Sequence, residues 1–200
     1  MGNPVEKSVF AYLKNSGVNV QELISQRDSN EPIFTIPFNS MRKRETRVFK
    51  INDGKTVRVA MRGALEIILN RVCTTYVAGG QKLALDENAR EIFMQKDDTC
   101  RNIGYAYKDY DIAAWEVLSA EKNDFASEDD KESVETDMTM LARIGLQTKI
   151  KNYARSAIAT YQNAGVTVRL VTGDNSVNAL HIAQDAGIHP TASYEEIMQR

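Results

Sequence analysis

A phenylalanine and a compact basic cluster lie close together in the first quarter of the chain. Phe38 is followed by two small polar residues and then by four cationic side chains, Arg42, Lys43, Arg44 and Arg47. An aromatic face can stack on a purine base, and arginine and lysine bind phosphate. The same cluster is also typical of a solvated turn, so this stretch alone leaves both interpretations open.

Two further stretches have residue types that suit an anionic ligand. The turn Thr172–Asn175 follows an apolar run and precedes a helical pattern, where a hydroxyl and backbone amides can hold a phosphate. It is equally suitable as a simple turn and helix cap. Arg62 adds a cation at the end of a predicted strand, and Gly63 beside it would let a ligand approach the backbone. Arg101 is a further candidate cation.

Hydrophobic periodicity predicts the elements that must position these residues in the first part of the chain. Asp53-Gly54 is a strong hairpin signal between two alternating runs. Asp86 is a plausible helix cap. The predicted elements are a helix over 5–13 that ends at Gly17, a strand entering Phe38, a hairpin over 46–61, a helix over 65–72, a helix after Asp86 and a strand over 101–107. This order predicts an α+β unit with an antiparallel sheet.

The second part of the chain has a different composition and a different pattern of apolar residues. Residues 119–135 hold seven carboxylates and two lysines with almost nothing apolar, which predicts a surface loop or linker. We therefore place a domain boundary at its end and expect domains at 1–135 and 136–200. Beyond it the pattern predicts a strand over 138–146, a helix over 150–161, a buried strand over 166–171 and a helix from Val177. Strand, helix and strand with short turns predict a parallel βαβ unit.

Composition excludes several classes of function. The net charge of -2 provides no basic field for nucleic acid. Cys73 and Cys100 have no metal-site spacing, and both are expected to be free, buried thiols in a reducing cytosol. His181 and His189 lack partners at catalytic spacing and are expected to be structural or surface residues. No signal peptide or apolar run of membrane-spanning length is present, so we expect this stretch of chain to be soluble and monomeric.

Six stretches in succession resemble the motifs of P-type cation-transporting ATPases, and most of all those of plasma-membrane-type calcium pumps. They cover nearly the whole chain in the family's order, and they are GNPVEK, FNSMRK, RGALEIIL, CRNIGYAYKDY, DMTMLARIGL and AGVTVRLVTGDNSVNALHIAQDAGI. The resemblance implies a nucleotide-binding domain followed by part of a haloacid dehalogenase-like phosphorylation domain. It also implies ATP and magnesium as ligands, and a position on the cytoplasmic side of a membrane.

The resemblance also implies roles for individual residues. Phe38 matches the aromatic residue that stacks on adenine, Glu6 the acidic residue near the adenine edge, and Lys43 a pocket lysine. Arg62 stands where the family usually has lysine. Arg101 matches an arginine that contacts the phosphates. The loop of Thr172, Gly173 and Asp174 matches the one that meets the terminal phosphate and the magnesium ion.

The chain departs from the family pattern in several places. The phosphorylated-aspartate motif D-K-T-G-T and the magnesium motif G-D-G-x-N-D are absent, and we expect them to lie outside this stretch, which should be inactive alone. Val5 replaces a threonine. In GLQTKIK, Thr148 and Lys149 replace an aspartate and a proline of the interdomain hinge, and Lys151 keeps an arginine's charge. These changes suit a weakened pump.

Three hypotheses therefore follow from the sequence. The first is an ATP-binding piece of a cation pump that works through an aspartyl-phosphate, with the rest of the pump as its partner and calcium as the ion. The second is a nucleotide-binding module without transport or phosphorylation activity. The third, a soluble phosphatase or phosphomutase of the haloacid dehalogenase type, requires an early nucleophilic aspartate after a strand, and the chain shows none.

Overall fold

The computed structural model describes residues 4–95, 100–147, 149–172 and 176–188. The chain divides into two compact units. The first contains residues 1–95 and 102–144, and the second contains residues 96–101 and 145–200. The predicted boundary at residue 135 stays a prediction, and the first unit extends to residue 144 because the last strand of its sheet begins at Met138.

Two helices open the first unit. Helix α1 spans Pro4–Asn15 and α2 spans Val20–Asp28. Gly17 separates them with a φ of +83°, a conformation that glycine adopts without strain. The Asn19 side chain accepts a hydrogen bond from the Glu22 amide at 3.3 Å and so caps α2. Among the described residues, no helix has both the length and the apolar character needed to cross a bilayer.

A seven-stranded sheet forms the body of the first unit. Its strands are β1 (Phe34–Asn39), β2 (Arg44–Ile51), β3 (Thr56–Ala64), β4 (Cys73–Ala78), β5 (Gln81–Ala84), β6 (Arg101–Asp111) and β7 (Met138–Leu146). The order across the sheet is β1-β2-β3-β6-β7-β4-β5. The pairs β1–β2, β2–β3, β3–β6 and β4–β5 are antiparallel, as predicted, whereas β4 and β7 are parallel.

The predicted hairpin is the β2–β3 pair. Asn52, Asp53 and Gly54 all have positive φ at its turn, which matches the twist that tight hairpins require. Along β3 the side chains alternate between buried and half-buried, and Val57 and Val59 are fully buried. This alternation leaves one face of the sheet to the core and the other to a candidate site.

The chain after β3 forms two helical elements that pack on the sheet. Helix α3 (Leu65–Ile67) continues as a single π turn over Ile68–Val72, and α4 spans Glu87–Met94. The Asp86 side chain caps α4 by accepting from the Ala89 amide at 2.8 Å, as predicted. Arg90 donates to the carbonyls of Leu69 and Cys73. These bonds satisfy backbone acceptors around the π turn, whose wider geometry breaks the regular helical pattern.

The prediction of a surface loop or linker over 119–135 is wrong. The segment holds the end of α5 (Ile112–Glu121), a short 3-10 turn and α6 (Glu128–Glu132). Phe125 and Val134 are only 3% and 1% exposed, and the Phe125 ring stacks on Trp115 with centroids 4.9 Å apart. These two apolar residues are enough to anchor the acidic segment, because both belong to the buried hydrophobic core.

The second unit contains α7 (Ala154–Asn163) and α8 (Ser176–Ala186), which pack together. Gly165, at φ +78°, follows the end of α7 as predicted. The predicted buried strand over 166–171 is wrong, because these residues form no strand and Val171 is 94% exposed. A strand exists only when a neighbour completes its hydrogen bonds, and no strand in the described part of the chain pairs with this run.

The two cysteines differ in burial, and this difference predicts their reactivity. Burial raises the pKa of the Cys73 thiol to about 12, against an opposing effect of Arg90, whereas Cys100 is half-buried. The thiolate is the reactive form, so at pH 8 iodoacetamide should label Cys100 and leave Cys73 unmodified. Mass spectrometry after trypsin digestion would measure this, with a sample in urea, where both label, as control. Equal labelling in the native state would contradict it.

Candidate functional site

Three charged or polar side chains form a row across the centre of the sheet. Glu45 of β2 lies directly opposite Arg62 of β3, and Arg62 lies opposite Tyr105 of β6. Directly opposed residues on neighbouring strands have side chains on the same face. The antiparallel register therefore brings a carboxylate, a guanidinium and a phenol together, although they are far apart in sequence.

A bulge in β1 extends this row to the predicted aromatic residue. Pro37 and Phe38 both oppose the single residue Glu45, and Asn39 then pairs with Arg44. The extra residue shifts the alternation of side chains along β1 by one position. The Phe38 side chain therefore lies on the same sheet face as that of Glu45, and the Asn39 side chain on the same face as that of Arg44. Strands lie about 4.8 Å apart, so Phe38 stands roughly 10 Å from Arg62 with Glu45 between them.

Phe38 itself is 60% exposed, as a ligand-stacking ring must be. Met41, in the turn three residues further on, is 89% exposed, so a second apolar side chain projects to solvent nearby in the sequence. Single exposed apolar side chains are common on protein surfaces, so this exposure makes the ring accessible to a ligand and does not by itself require one. The exposure of Phe38 is therefore consistent with the predicted stacking role.

Two carboxylates hold Arg62. Its Nη2 lies 2.8 Å from Glu6 Oε1 of α1, and its Nε lies 2.9 Å from Glu45 Oε1. Burial lowers the pKa of Arg62, but its hydrogen bonds to the Glu45 and Glu6 carboxylates and the charges of those carboxylates outweigh that effect, and the net shift is upward. Arg62 therefore remains charged, and a ligand must share it with two anions that already bind it.

Tyr105 completes the row as a neutral donor. Burial raises the pKa of its phenol, and nearby Arg62 opposes the shift only in part. The hydroxyl therefore stays protonated at neutral pH and above. A neutral hydroxyl beside a guanidinium can donate to a phosphate or base acceptor.

A cleft of about 250 Å³ opens where α1 and α2 cover this face of the sheet. Three aromatic residues line it, Phe10, Phe49 and Tyr105. Its charged lining consists of Arg27, Arg47 and Arg62 against Glu6 and Glu45, an excess of one positive charge. The volume is below the roughly 300–1,000 Å³ of sites for drug-sized ligands, so it suits a single ring system. Phe38 is not part of its lining and stands outside.

Gly63 is required by the protein's own backbone. A Cβ at this position would lie 2.5 Å from the Lys43 carbonyl oxygen and 2.6 Å from the Arg44 Cβ. The space on the Cβ side of Gly63 is therefore filled by the start of β2, and Gly63 lets β2 and β3 close beside Arg62. A ligand contact at the Gly63 backbone stays a prediction.

The basic cluster is mostly engaged within the protein. Glu135 binds Arg42 and Arg44, with its Oε1 2.5 Å from Arg42 Nη2 and its Oε2 2.7 Å from Arg44 Nη2. Arg42 Nε also lies 2.8 Å from Glu132 Oε1, an ion pair without hydrogen-bond angles. Lys43 differs, because it is exposed at φ +54° in the turn before β2. Of these three cations, Lys43 is the one that faces solvent.

Comparison of the sequence with known proteins identifies the family of this chain. The family model described as P-type ATPase, cytoplasmic domain N, matches residues 1–153. The chain belongs to the P-type ATPase family. The unit that carries the row of charged residues is thus a P-type ATPase N domain, which confirms the resemblance seen in the sequence.

Three relatives of this P-type ATPase chain are named calcium-transporting ATPases. It is 30% identical to calcium-transporting ATPase 8, plasma membrane-type, of Arabidopsis thaliana, over 94% of the chain and 17% of that protein. It is 28% identical to plasma membrane calcium-transporting ATPase 1 of Mus musculus, over 95% and 15%. For calcium-transporting ATPase 2 of Cryptococcus neoformans the figures are 31%, 81% and 12%. The chain thus spans less than a fifth of the length of these relatives.

The remaining predicted residues of the P-type ATPase site stay predictions. Arg101 is the exposed first residue of β6, and Thr172 is exposed in the second unit. Gly173 and Asp174 lie outside the described residues, as do Thr148 and His189. His181 is exposed on α8. Within the described ranges, no three His, Cys, Asp or Glu side chains cluster in a way that would hold a metal ion.

Three residues in or beside the N domain site were not predicted from the sequence. Glu45 and Tyr105 enter it through the register with Arg62, which depends on strand pairing. A signal was present, because alternation in the hairpin and in CRNIGYAYKDY already defined the faces. Glu135 gave no such signal, since it lies in a run of carboxylates that looked like solvated surface.

Proposed function

We propose that this P-type ATPase chain is the ATP-binding cytoplasmic part of a pump that transports a cation, with calcium as the ion. The observation that carries the proposal is the row in which exposed Phe38, Glu45 and Arg62 share one sheet face, beside Glu6. We propose calcium as the ion because the relatives are named calcium-transporting ATPases. In the whole protein we expect an aspartyl-phosphate intermediate, cytoplasmic exposure of this part and a membrane region that moves the ion.

The proposed mode of binding uses three different chemistries. The purine stacks on Phe38, and its edge faces the carboxylates of Glu6 and Glu45, which accept from amino groups. Lys43 stands as an exposed cation beside the base. Arg62 offers its planar guanidinium to the nucleotide. The positive excess of the neighbouring cleft favours an anionic ligand at this face.

We expect magnesium to arrive with ATP. The described residues do not fit a protein-held ion, since they contain no suitable cluster of ligands. Magnesium prefers oxygen ligands and commonly binds substrate phosphates with few protein groups. Asp174 stays a prediction for such a contact. The chain lacks D-K-T-G-T, so we expect it to bind ATP without hydrolysing it.

Affinity should be low because Arg62 is already paired. An ATP molecule must compete with Glu6 and Glu45 for this guanidinium, and both carboxylates repel its phosphates. We expect a dissociation constant on the order of 0.1–5 mM. The ion pairs of Arg62 with Glu6 and Glu45, and the low affinity expected from them, also favour the second candidate function, a nucleotide-binding module without transport activity. A measured turnover of the complete protein would separate the two.

Replacing Phe38 by alanine tests the proposal. Stacking contributes roughly 1–3 kcal/mol per base, so Phe38→Ala should weaken binding about 5- to 150-fold. The loss should be similar for ATP and GTP, because stacking senses the face of the base. Isothermal titration calorimetry with both nucleotides would measure it.

Met41→Ala is the matched control for that substitution. It removes a still more exposed apolar side chain, three residues away in the turn that follows β1, and nucleotide affinity should remain at the wild-type value. Unchanged affinity in Phe38→Ala, or an equal loss in both variants, would contradict a stacking role.

A further inference from the structure

Glu135 is a carboxylate that folding has removed from water. Its side chain is only 2% exposed, and it lies three residues before β7. A buried carboxylate costs free energy unless cations and hydrogen bonds compensate for the lost hydration. The residues that compensate the charge of Glu135 are therefore the ones whose positions it fixes.

Among the described residues, the side chains that donate hydrogen bonds to Glu135 all come from one short stretch after Phe38. Arg42 Nη2 donates to both oxygens of Glu135, at 2.5 and 2.6 Å. Arg44 Nε donates at 2.8 Å and the Thr46 hydroxyl at 2.6 Å. Thr46 is fully buried, so this network is shielded from solvent, where charge-assisted hydrogen bonds are strong.

The loop over residues 39–43 has two distinct sides. Arg42 points inward to Glu135, whereas Lys43 and the adjoining Phe38 are exposed. The backbone between them makes a tight turn, in which the Met41 amide donates to Asn39 Oδ1 and the Lys43 amide to Asn39 O, both at 2.7 Å. The inner anchor thus sets the conformation from which the outer side chains project.

We propose that Glu135 is a positioning residue for the nucleotide site. It fixes the 39–43 loop through Arg42 and Arg44, and so holds Phe38 and Lys43 in the geometry that accepts the purine. This inference rests on the proposed function, since it concerns the same site. Glu135 itself does not touch the ligand.

The same contact ties the loop to the strand by which the chain leaves the first unit. β7 begins three residues after Glu135, and within it Arg143 Nη1 donates to the carbonyls of Phe93 and Gln95 at 2.7 and 2.6 Å. β7 is thus held by its pairing with β4 at Met138–Met140 and by Arg143, and Glu135 couples the 39–43 loop to the start of this strand. Such support is what keeps binding groups in place.

The test compares Glu135→Gln with wild type in the 200-residue chain. Hydrogen exchange should accelerate at the Met41 and Lys43 amides, while β3 and β6 amides keep their protection. Affinity for Mg-ATP, followed by amide-shift titration, should fall roughly threefold or more. Glu135→Asp keeps the charge with a shorter reach and should give a smaller loss.

Glu128→Gln is the control, because it removes the same charge from a side chain that is 67% exposed. It should change neither readout. If Glu135→Gln keeps the wild-type ATP affinity and unchanged hydrogen exchange in the loop, the positioning role is overturned and the proposed function is not affected. Absence of ATP binding in wild type would overturn the proposed function and the role with it.

A second variant keeps the inference testable if Glu135→Gln does not fold. Arg42→Gln leaves Arg44 and Thr46 on the carboxylate and removes one link to the loop. Faster exchange confined to residues 39–43, with weaker ATP binding, supports the role. Exchange that rises equally across β2 and β3, or not at all, overturns it.

Discussion

Gly63→Ala should lower the free energy of unfolding by about 2–3 kcal/mol, the cost of forcing an added methyl group into a closed space. The new Cβ would lie 2.5 Å from the Lys43 carbonyl oxygen and 2.8 Å from the Arg44 Cα. Both are backbone atoms of the partner strand, so no side-chain rotation relieves the contact. β2 and β3 must move apart where Glu45 and Arg62 pair. Urea denaturation followed by circular dichroism would measure the loss.

Gly104→Ala provides a matched comparison in the neighbouring strand. The three atoms nearest to its added Cβ all belong to the Ile68 side chain, at 3.1 to 3.3 Å. A shift of Ile68 by a few tenths of an ångström relieves the contact. The alanine also lowers the entropy of the unfolded chain, which stabilises the folded state by about 0.4–1 kcal/mol. We expect a net change below about 1 kcal/mol. Equal destabilisation by both substitutions would contradict the close approach at Gly63.

Phe125→Ala should be the most destabilising substitution in the acidic segment, with a loss of about 3–5 kcal/mol in unfolding free energy. The ring lies 4.9 Å from the Trp115 centroid and 5.2 Å from that of Phe34. Its removal leaves a cavity that two rigid aromatic rings cannot fill by relaxation. Thermal and urea denaturation would both report the change.

Val117→Ala is the control for Phe125. Val117 belongs to the same region but is 61% exposed on α5, so its truncation should change stability by less than about 0.5 kcal/mol. A linker would tolerate Phe125→Ala equally well. A loss below about 1 kcal/mol for Phe125→Ala would therefore mean that the segment is not part of the core.

Local signals in the sequence were sufficient for most elements of the first unit. The Asp53-Gly54 turn, the Asp86 cap and the stripe from Leu65 to Val72 each predict structure from residues close in sequence, and each is confirmed. Such signals depend on backbone preference and on burial of one face, which a single stretch of chain determines. The parallel pairing of β4 and β7 has no local signal, because the two strands are distant in sequence.

The two wrong predictions had opposite causes. In the acidic segment, average composition concealed Phe125 and Val134, and a few buried residues decide the position of a segment more than many exposed ones. In residues 166–171, apolar composition predicted a buried strand, but a strand needs a hydrogen-bonded neighbour as well as apolar residues. Hydropathy predicts that a stretch tends to be buried, and the presence of a neighbouring strand decides whether it forms a buried strand.

The candidate site could be predicted only in part for a similar reason. Phe38, Glu6 and Arg62 were predicted from the resemblance, and register places the first and last on one face of the sheet. Whether a cation is available to a ligand depends on its neighbours in space. Arg42 and Arg44 look equivalent to Lys43 in the sequence, and Glu135, 91 residues from Arg44, separates their roles.

The most direct test is an amide-shift titration of the 200-residue chain with Mg-ATP up to several millimolar. We predict that the largest saturable shifts occur at Phe38, Lys43, Glu45, Arg62 and Tyr105, with a dissociation constant on the order of 0.1–5 mM. Shifts absent from this row at several millimolar ATP, or confined to residues elsewhere in the chain, would contradict a nucleotide site on this face of the sheet.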